Sequence, residues 1–444
     1  MSFALFHDSV FFLLNKKILV AGNVNMYSRT RLTRFPEPAM LYTPELRQRR
    51  FVHLSGSMSD DNKNENACAI SEGPETEVFT WGDNWNSQYK KEVHYAKDAV
   101  DSNQVFAGHP CRRGRDQFNG ELPISSACTC ENTVVVTAEG GVWYSGRLMA
   151  SDCQSLRFRH VFNYNMTQIP PHLFGDTKVV QIAAGFQHIL AVCQKGCVWG
   201  WGDNRCNELG NSVELNVDWS RTPMLVDFTK YANCVISGVA AGDGNSVAVS
   251  RDGSCLEWGR IHAFDNMDGC EIHYEQFPFA SESYNIEFEE AEFCTVCCGG
   301  KFTIALDVQG RVWSQGNGPS GELGLGKQTI TREYALITGF PANVFVTEIS
   351  CGRNSSGAIT RDGDVYVWGK EYNTHNPVAS RLRSGSLPGL ISTPVCLKRR
   401  QRLRDDSEIA FLMASTKKMS ITPSWINEMP SELFESILRP HAHA

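Results

Sequence analysis

Two stretches of the 444-residue chain have spacings that could bind a nucleotide. Residues 316–321 read GNGPSG, which has the glycine spacing of a dinucleotide-binding loop. Residues 321–327 read GELGLGK and come close to a phosphate-binding loop, but Gln328 stands where Ser or Thr would coordinate magnesium. Pro319 and the following glycines disfavour the helix whose N-terminus would hold the phosphates. We therefore interpret both stretches as repeat loops and predict no cofactor.

Several cysteine and histidine residues could take part in metal binding or acid–base chemistry. Cys294, Cys297 and Cys298 could begin a zinc site, since thiolates at this spacing bind zinc. No second Cys or His pair follows at a usable spacing, so packing within a strand is the favoured interpretation. We expect His188 to form a structural hydrogen bond between repeats rather than to act as a general base. No Ser-His-Asp or paired-carboxylate arrangement stands out, so we predict no catalytic and no metal-ligating residues.

Charged side chains gather in the connections between apolar runs. Residues 84–122 hold a group of arginines, residues 264–293 are acidic and residues 398–404 are basic. Such groups are usually solvated loop charges, and the alternative is contact with nucleic acid, phospholipid or an oppositely charged protein surface. The candidate partner-binding residues are Arg112, Arg113, Arg115, Lys398, Arg399, Arg400, Glu287, Glu289 and Glu290.

The overall charge narrows the class of partner. A net charge of −7 argues against binding nucleic acid by bulk positive potential, so we expect other proteins as partners. We also expect a monomeric chain. The apolar run of residues 10–14 is too short for a signal peptide or a membrane span. The 16 cysteines fall inside strand patterns, and we expect reduced thiols and a cytoplasmic or nuclear location.

A repeated glycine triplet organises the chain. Around residues 182–210, glycines stand 17 and 6 residues before Gly202, and the same spacing recurs in three further copies. Because a two-residue turn requires positive φ, which costs glycine little, we interpret the copies as one supersecondary unit, a β-hairpin with its flanking strand. The structural repeat glycines are Gly185, Gly196, Gly202, Gly242, Gly253, Gly259, Gly299, Gly310, Gly316, Gly352, Gly363 and Gly369.

Weaker copies end at Gly22, Gly82 and Gly146, which brings the number of hairpins to seven, separated by 53 to 64 residues. In the first copy, Leu5 and Lys16 occupy glycine positions. A period of this length built from short strands predicts a propeller or a β-solenoid. We predict an all-β fold, a single seven-bladed β-propeller of about four strands per blade. The insertions at residues 84–122 and 264–293 should project from its rim, and the tryptophans that recur at repeat positions should pack in its core.

The chain ends suggest how the ring closes. Residues 411–422 match residues 349–360 but lack the final strand, which residues 18–22 could supply. The N- and C-terminal strands would then share a blade and leave no exposed edge. Residues 10–14 could pair with the same neighbouring strand as residues 18–22. The sequence therefore does not decide which of the two segments closes the ring. We place the propeller at residues 1–422 and a short C-terminal helix or tail at residues 423–444.

Five segments resemble the repeat of the regulator of chromosome condensation family: GCVWGWGDNRCNELG, GSCLEWGR, GRVWSQGNGPSGELGLG, GDVYVWGK and EVFTWGDN. The resemblance spans about residues 2–422, is strongest in the middle four repeats, and implies a seven-bladed β-propeller. Members of this family include exchange factors for the small GTPase Ran that dock on chromatin, a plant ultraviolet photoreceptor and adaptor modules of ubiquitin ligases. The basic N-terminal tail expected for nucleosome docking and the Gly-Trp-Arg-His-Thr type motif of the photoreceptor are both missing here.

Because the fold is shared and the activity is not, three functions stay open. We favour a non-catalytic scaffold or adaptor that binds proteins through its rim insertions. The alternative is a guanine-nucleotide exchange factor for a Ran-like small GTPase, in which a rim loop displaces magnesium and phosphate contacts. A second alternative is a substrate adaptor of a ubiquitin ligase, since residues 429–438 resemble the opening of an F-box helix.

Overall fold

The computed structural model describes residues 3–5, 9–14, 16–24, 33–40, 49–57, 66–83, 106–130, 132–147, 162–210, 217–228, 235–260, 291–326, 330–362, 364–370 and 390–396. These residues form β-strands and two 3-10 helices, Arg115–Phe118 and Pro171–Phe174. Each sheet joins strands that follow one another in the chain.

The first two sheets contain β1 (Phe3–Leu5), β2 (Ser9–Leu14), β3 (Lys17–Val24) and β4 (Thr33–Met40), then β5 (Phe51–Gly56), β6 (Asn66–Ser71), β7 (Val78–Asp83) and β8 (Phe106–Arg113). The next two contain β9 (Pro123–Cys128), β10 (Asn132–Thr137), β11 (Val142–Arg147) and β12 (Phe162–Ile169), then β13 (Val179–Ala184), β14 (His188–Cys193), β15 (Val198–Asp203) and β16 (Trp219–Leu225). A sheet of β17 (Ile236–Ala241), β18 (Asn245–Ser250) and β19 (Cys255–Gly259) follows. The last two contain β20 (Phe293–Cys298), β21 (Phe302–Asp307), β22 (Val312–Asn317) and β23 (Ile330–Leu336), then β24 (Val346–Gly352), β25 (Ser355–Thr360), β26 (Val365–Lys370) and β27 (Leu390–Cys396).

Burial falls from the second strand of a sheet to the outermost strand. All six residues of β14, HILAVC, are buried, because neighbouring sheets cover both of its faces. In the first strand, β13, only Val179 and Ile182 are buried. Most residues of the outer strand β16 are at least partly exposed. The sequence therefore shows a continuous apolar run in the second strand and mixed polarity in the strands beside it.

The prediction of seven four-stranded blades is wrong. The described residues form six blades of four strands, and the sheet of β17–β19 has three. The physical reason is that the glycine triplet marks only the first three strands of a repeat. The outer strand has no such signature, so counting hairpins could not show which repeats form complete blades. The all-β propeller class is confirmed.

The predicted sharing of a blade by the two chain ends is also wrong. Among the described residues, all four strands of the β1–β4 blade come from residues 3–40, and Ser9–Leu14 pairs with Lys17–Val24 on one side and with Phe3–Leu5 on the other. The three-residue strand Phe3–Leu5 was too short to be recognised as the first strand of a repeat. Lys16, placed at a glycine position from the sequence, adopts a φ of 64°. The predicted half repeat at residues 411–422 lies outside the described residues.

Consecutive sheets contact one another through their first and second strands. The first strand of each sheet contacts the first strand of the next, in the order β5, β9, β13, β17, β20 and β24. Strand β1 contacts both β5 and β24, which joins the two ends of this series. The core lies between the sheets and includes the predicted tryptophans. Trp201, Trp258 and Trp368 are almost fully buried. Trp81 and Trp313 are buried as well, Trp199 is partly buried against the core, and the prediction of core packing is confirmed.

The glycine triplet combines two different physical demands. Gly196 and Gly202 adopt positive φ of 82° and 106°, as expected for turn glycines. The first glycine of the triplet serves another purpose. A Cβ on Gly185 would lie 2.2 Å from the carbonyl oxygen of Gly242, and a Cβ on Gly242 would lie 2.5 Å from that of Gly299. Neighbouring sheets therefore approach too closely at this position for any side chain.

Contacts divide the chain into one unit of Met1–Leu397 and another of Lys398–Ala444. The second unit lies outside the described residues, so the expected C-terminal helix and the boundary at residue 422 stay predictions. Within the described residues, no helix is long and apolar enough to cross a membrane.

Candidate functional site

The turns that follow β13, β17, β20 and β24 carry charged and aromatic side chains. Each turn begins at or near the first glycine of the triplet and leads into the second strand of its sheet. Its residues differ in every repeat, whereas the flanking strands keep the same pattern. We call Phe186, Asp243, Lys301 and Arg353 the turn face.

Arg353 connects turns of three different sheets. Its Nη2 donates to Oδ2 of Asp243 at 2.9 Å, although the two residues are 110 positions apart and the sheet of β20–β23 lies between theirs. Its guanidinium carbon lies 5.4 Å from the centroid of the Phe186 ring, within the range of a cation–π contact. A guanidinium is suited to both contacts because it is planar and keeps its charge.

Gly300 provides the space for this arginine. Its N–H donates to the carbonyl oxygen of Arg353 at 2.8 Å, and a Cβ on Gly300 would lie 2.9 Å from that oxygen. The side chains of Arg353 and Asp243 are 22% and 19% exposed, so the ion pair is partly desolvated and still reachable from solvent.

Burial and nearby charges perturb the ionisable groups of the turn face. Burial raises the pKa of Asp243, and Asp203 acts in the same direction, while Arg260 and Lys301 oppose the shift. Burial also lowers the pKa of Arg353. The pair is thus formed by two groups that each lose hydration, a situation in which geometry decides whether the interaction is favourable.

Beside the turn face lies the loop that follows β15. Arg205 donates from Nε and Nη2 to the carboxylate of Asp203 at 2.9 Å and 2.5 Å. Burial would raise the pKa of Asp203, but the hydrogen bonds and charge of Arg205 outweigh burial and lower it. The Arg205 side chain is 66% exposed, so this pair is a surface feature.

Glu208 is the most strongly perturbed carboxyl of this loop. Burial raises its pKa to about 7, helped by the nearby negative charge of Asp203 and opposed by Arg260. Its Oε2 accepts the backbone N–H of Cys206 at 2.8 Å. A carboxyl that changes charge near neutral pH therefore lies next to the turn face.

The same loop fastens one sheet to the next. The carbonyl oxygen of Glu208 accepts Nε1–H of Trp258 at 2.7 Å and the hydroxyl of Ser246 at 2.8 Å. Because that hydroxyl donates to Glu208, it accepts from Nε2 of His188 at 2.9 Å. Burial lowers the pKa of His188 to about 4, which keeps the ring neutral. The predicted hydrogen bond of His188 between repeats is confirmed.

A second copy of this arrangement involves the GELGLG stretch. The carbonyl oxygen of Glu322 accepts Nε1–H of Trp368 at 2.7 Å and the hydroxyl of Ser356 at 2.8 Å. Leu323, the next residue, is fully buried. The Glu-Leu-Gly loop of one sheet thus docks onto the following sheet, which explains why this tripeptide recurs in the sequence.

Two of the sequence-predicted arginines are held in local structure. Part of the supposed rim insertion, Phe106–Arg113, is the outer strand β8, which carries a proline and no repeat signature. Arg112 forms an ion pair with Glu77. Arg113 is buried, and its guanidinium donates to the hydroxyl of Thr80 and, at 3.4 Å, to that of Ser145.

Arg115 begins the 3-10 helix Arg115–Phe118, and its Nε donates to the carbonyl oxygen of Gly120 at 3.1 Å. The structure does not bring these arginines to the turn face. Lys398, Arg399, Arg400, Glu287, Glu289 and Glu290 lie outside the described residues. Partner binding by the nine residues stays a prediction.

Sequence reasoning missed Asp243, Arg353 and Glu208. A signal was present at the position directly after the first repeat glycine, because its residue type changes from copy to copy. In successive repeats it is aromatic, acidic, glycine and basic: Phe186, Asp243, Gly300 and Arg353. Variation at one fixed position of a regular repeat is typical of a binding surface on a constant scaffold.

The chemistry available at the turn face is recognition by charge and by an aromatic ring. Arg353 and Lys301 can donate to carboxylates or carbonyl groups, and Asp243 can accept from a cation. Among the described residues, no group of three or more His, Cys, Asp or Glu side chains could hold a metal ion. Both signs of charge lie close together, which suits the mixed surface of a folded protein.

Comparison with known families identifies the repeat. Models of the "Regulator of chromosome condensation (RCC1) repeat" match residues 179–208, 346–376 and 309–359. These segments of the chain are RCC1 repeats. The matched segments include the turns that carry Phe186 and Arg353, two of the four residues of the turn face.

Three known proteins illustrate the similarity of this chain to proteins with RCC1 repeats or the same fold. The RCC1-repeat chain is 27% identical over 324 residues to "RCC1 domain-containing protein RUG3, mitochondrial" of Arabidopsis thaliana, covering 70% of this chain and 69% of that protein. It is 27% identical over 261 residues to "Ultraviolet-B receptor UVR8" of Arabidopsis thaliana, covering 57% of this chain and 54% of the receptor. The solved structure of yeast RCC1 (Prp20) with Kap60 bound has a TM-score of 0.60 at 18% identity and covers 82% of this chain and 79% of Prp20. This likeness shows the propeller fold.

Proposed function

We propose that this RCC1-repeat protein is a non-catalytic scaffold or adaptor that binds another protein through the turn face. The observation that carries the proposal is the Arg353–Asp243 pair, which joins sheets that are not neighbours and stays partly exposed. Arginine is enriched at the energetically important positions of protein interfaces.

The energetics of the pair support a binding role better than a stabilising one. A partly desolvated ion pair contributes little net stability, because the loss of hydration offsets the attraction. A partner that completes the burial would supply further hydrogen bonds to the same guanidinium. A protein partner is also what the Kap60-bound Prp20 structure contains.

The first experiment compares Arg353→Ala with Arg251→Ala. Arg251 is an exposed arginine in the turn between β18 and β19, at the opposite ends of the strands, and serves as the matched control. Tagged wild type and both variants are used to purify associated proteins, which are quantified by mass spectrometry. We expect a set of partners retained by Arg251→Ala and reduced at least tenfold by Arg353→Ala. Equal recovery by both variants contradicts the proposal.

A guanine-nucleotide exchange activity is the competing function. It is tested by release of a fluorescent guanine nucleotide from a panel of small GTPases, including a Ran-like one, in the presence of purified protein. The scaffold proposal predicts release rates equal to the rate without protein. Accelerated release by the wild type that Arg353→Ala abolishes would replace the scaffold with an exchange factor acting through the same face.

A further inference from the structure

Two thiols of neighbouring blades lie in contact near the turn face. Cys297 is in β20 and Cys351 is in β24, and their Sγ atoms are 2.9 Å apart. Both residues are partly exposed, and both pack against the buried core between their two sheets. A disulfide requires an S–S distance of about 2.0 Å, so the sulfur atoms need to approach by only about 0.9 Å.

Other cysteines of the described residues provide the contrast. Cys68 and Cys128 also interact across two blades, but both are buried away from solvent. Cys294 lies on the same strand as Cys297 and is exposed, and its Sγ donates to the carbonyl oxygen of Leu306 at 3.4 Å. Cys297 and Cys351 combine proximity across two blades with partial exposure of both residues, and thiol–disulfide exchange requires both proximity and access.

We propose that Cys297 and Cys351 are a reversible dithiol–disulfide site whose co-reactant is a low-molecular-weight disulfide. The thiolate of Cys351 attacks one sulfur of the small disulfide, a mixed disulfide forms and one small thiolate leaves. The Cys297 thiol then gives its proton to solvent and attacks the sulfur of Cys351, and the second small thiolate leaves. Two protein thiols are oxidised, and one small disulfide is reduced to two thiols.

The order of attack follows from the surroundings of the two sulfur atoms. Burial raises the pKa of Cys297, and contact with Cys351 raises it further. The Cys297 thiolate is therefore scarce near neutral pH, and Cys297 is assigned to the second step. That step is intramolecular, so the short distance compensates for the small thiolate population.

The link would fasten the first strands of two adjacent blades. Arg353 follows Cys351 by two residues, and its carbonyl oxygen accepts the N–H of Gly300, three residues after Cys297. Oxidation would thus link β20 to β24 covalently, two residues before Arg353 in the chain. The proposed disulfide does not depend on the proposed function, since it concerns only the two thiols and their oxidant.

The test uses the folded full chain equilibrated with mixtures of reduced and oxidised glutathione. Free thiols are blocked by alkylation, and disulfide-linked peptides are mapped by mass spectrometry. We expect one predominant link, Cys297 to Cys351, that forms with oxidised glutathione and disappears with excess reduced glutathione. Cys294→Ser should leave this link unchanged, and Cys351→Ser should abolish it. Absence of the linked peptide under oxidised glutathione, or its appearance only after denaturation, overturns the proposal.

Thermal unfolding supplies a second readout that does not depend on peptide recovery. The oxidised wild type and oxidised Cys294→Ser should melt about 3 °C higher than their reduced forms. The reason is that the link closes a loop in the unfolded chain and lowers its conformational entropy. Cys297→Ser should show no such rise. A rise of the same size in Cys297→Ser contradicts the assignment. If a serine variant fails to fold, the peptide map of the wild type alone decides.

Discussion

Glu208 shows how one buried residue sets the response of the protein to pH. Its folded-state pKa of about 7 exceeds the ordinary glutamate value, so the folded protein holds a proton that the unfolded chain releases at lower pH. Its contribution to the free energy of unfolding is present in full below about pH 4.5 and is lost as the pH rises to about 7.

His188 works in the opposite direction in nearly the same interval. Burial lowers its pKa to about 4, so stability is lost as the pH falls from about 6.5 to 4. The two residues therefore offset each other in the wild type, and the total pH dependence hides both contributions.

The substitution Glu208→Gln separates the pH-dependent contribution of Glu208 from that of His188. The amide oxygen can still accept the N–H of Cys206, but the group no longer titrates. We expect the stability of Glu208→Gln minus that of the wild type to rise by about 3 kcal/mol between pH 4.5 and pH 8. Chemical denaturation of both proteins at several pH values measures this difference. A flat difference would mean that Glu208 titrates normally in the folded state.

At the scale of the element, the first strands of adjacent sheets can approach closely because glycine, which has no side chain, lies at the contact. Gly242→Ala places a Cβ 2.5 Å from the carbonyl oxygen of Gly299, and backbone cannot move aside as a flexible side chain would. We expect a loss of about 2 to 3 kcal/mol in the free energy of unfolding.

Gly244→Ala is the matched control in the same turn. A Cβ there meets its nearest atom, Cβ of Arg260, at 3.6 Å, an ordinary contact. Denaturant unfolding should show less than about 0.5 kcal/mol of change for this variant. Equal losses at both positions would show that turn flexibility, rather than sheet proximity, requires glycine.

The docking of a Glu-Leu-Gly loop is a second property of elements. Trp258→Phe removes one of two donors to the carbonyl oxygen of Glu208, and Ser246→Ala removes the other along with the acceptor for His188. Each change should cost about 1 to 2 kcal/mol.

The double variant should cost more than the sum of the single changes, because it leaves a buried carbonyl group without a donor. A double-mutant cycle by denaturant unfolding measures the excess. Trp368→Phe and Ser356→Ala at Glu322 repeat the cycle in a second sheet. Strict additivity in both cycles would show that the two donors act independently.

At the scale of the whole molecule, the sequence predicted the repeats better than their assembly. Glycine spacing located the first three strands of the repeats, because turns and close approaches tolerate few other residues there. The outer strands, such as β8 and β16, carry mixed sequences, so the number of complete blades could not be counted from the spacing.

The candidate site was also only partly accessible to sequence reasoning. Charge runs such as residues 398–404 attract notice because the charges are adjacent in the chain. Arg353 and Asp243 are 110 positions apart and meet only when the repeats are arranged around a common axis. A site that is assembled from single residues of different repeats leaves no local cluster in the sequence.

The most direct test of the central claim places a photoreactive side chain at Asn354, beside Arg353 on the turn face, and irradiates cells that express the protein. The control places the same group at Asp252, an exposed turn residue at the opposite ends of the strands. We predict discrete protein adducts from position 354 that Arg353→Ala removes and that position 252 does not give. Equal adducts from both positions, or adducts at position 354 that persist in Arg353→Ala, would contradict a binding site centred on Arg353.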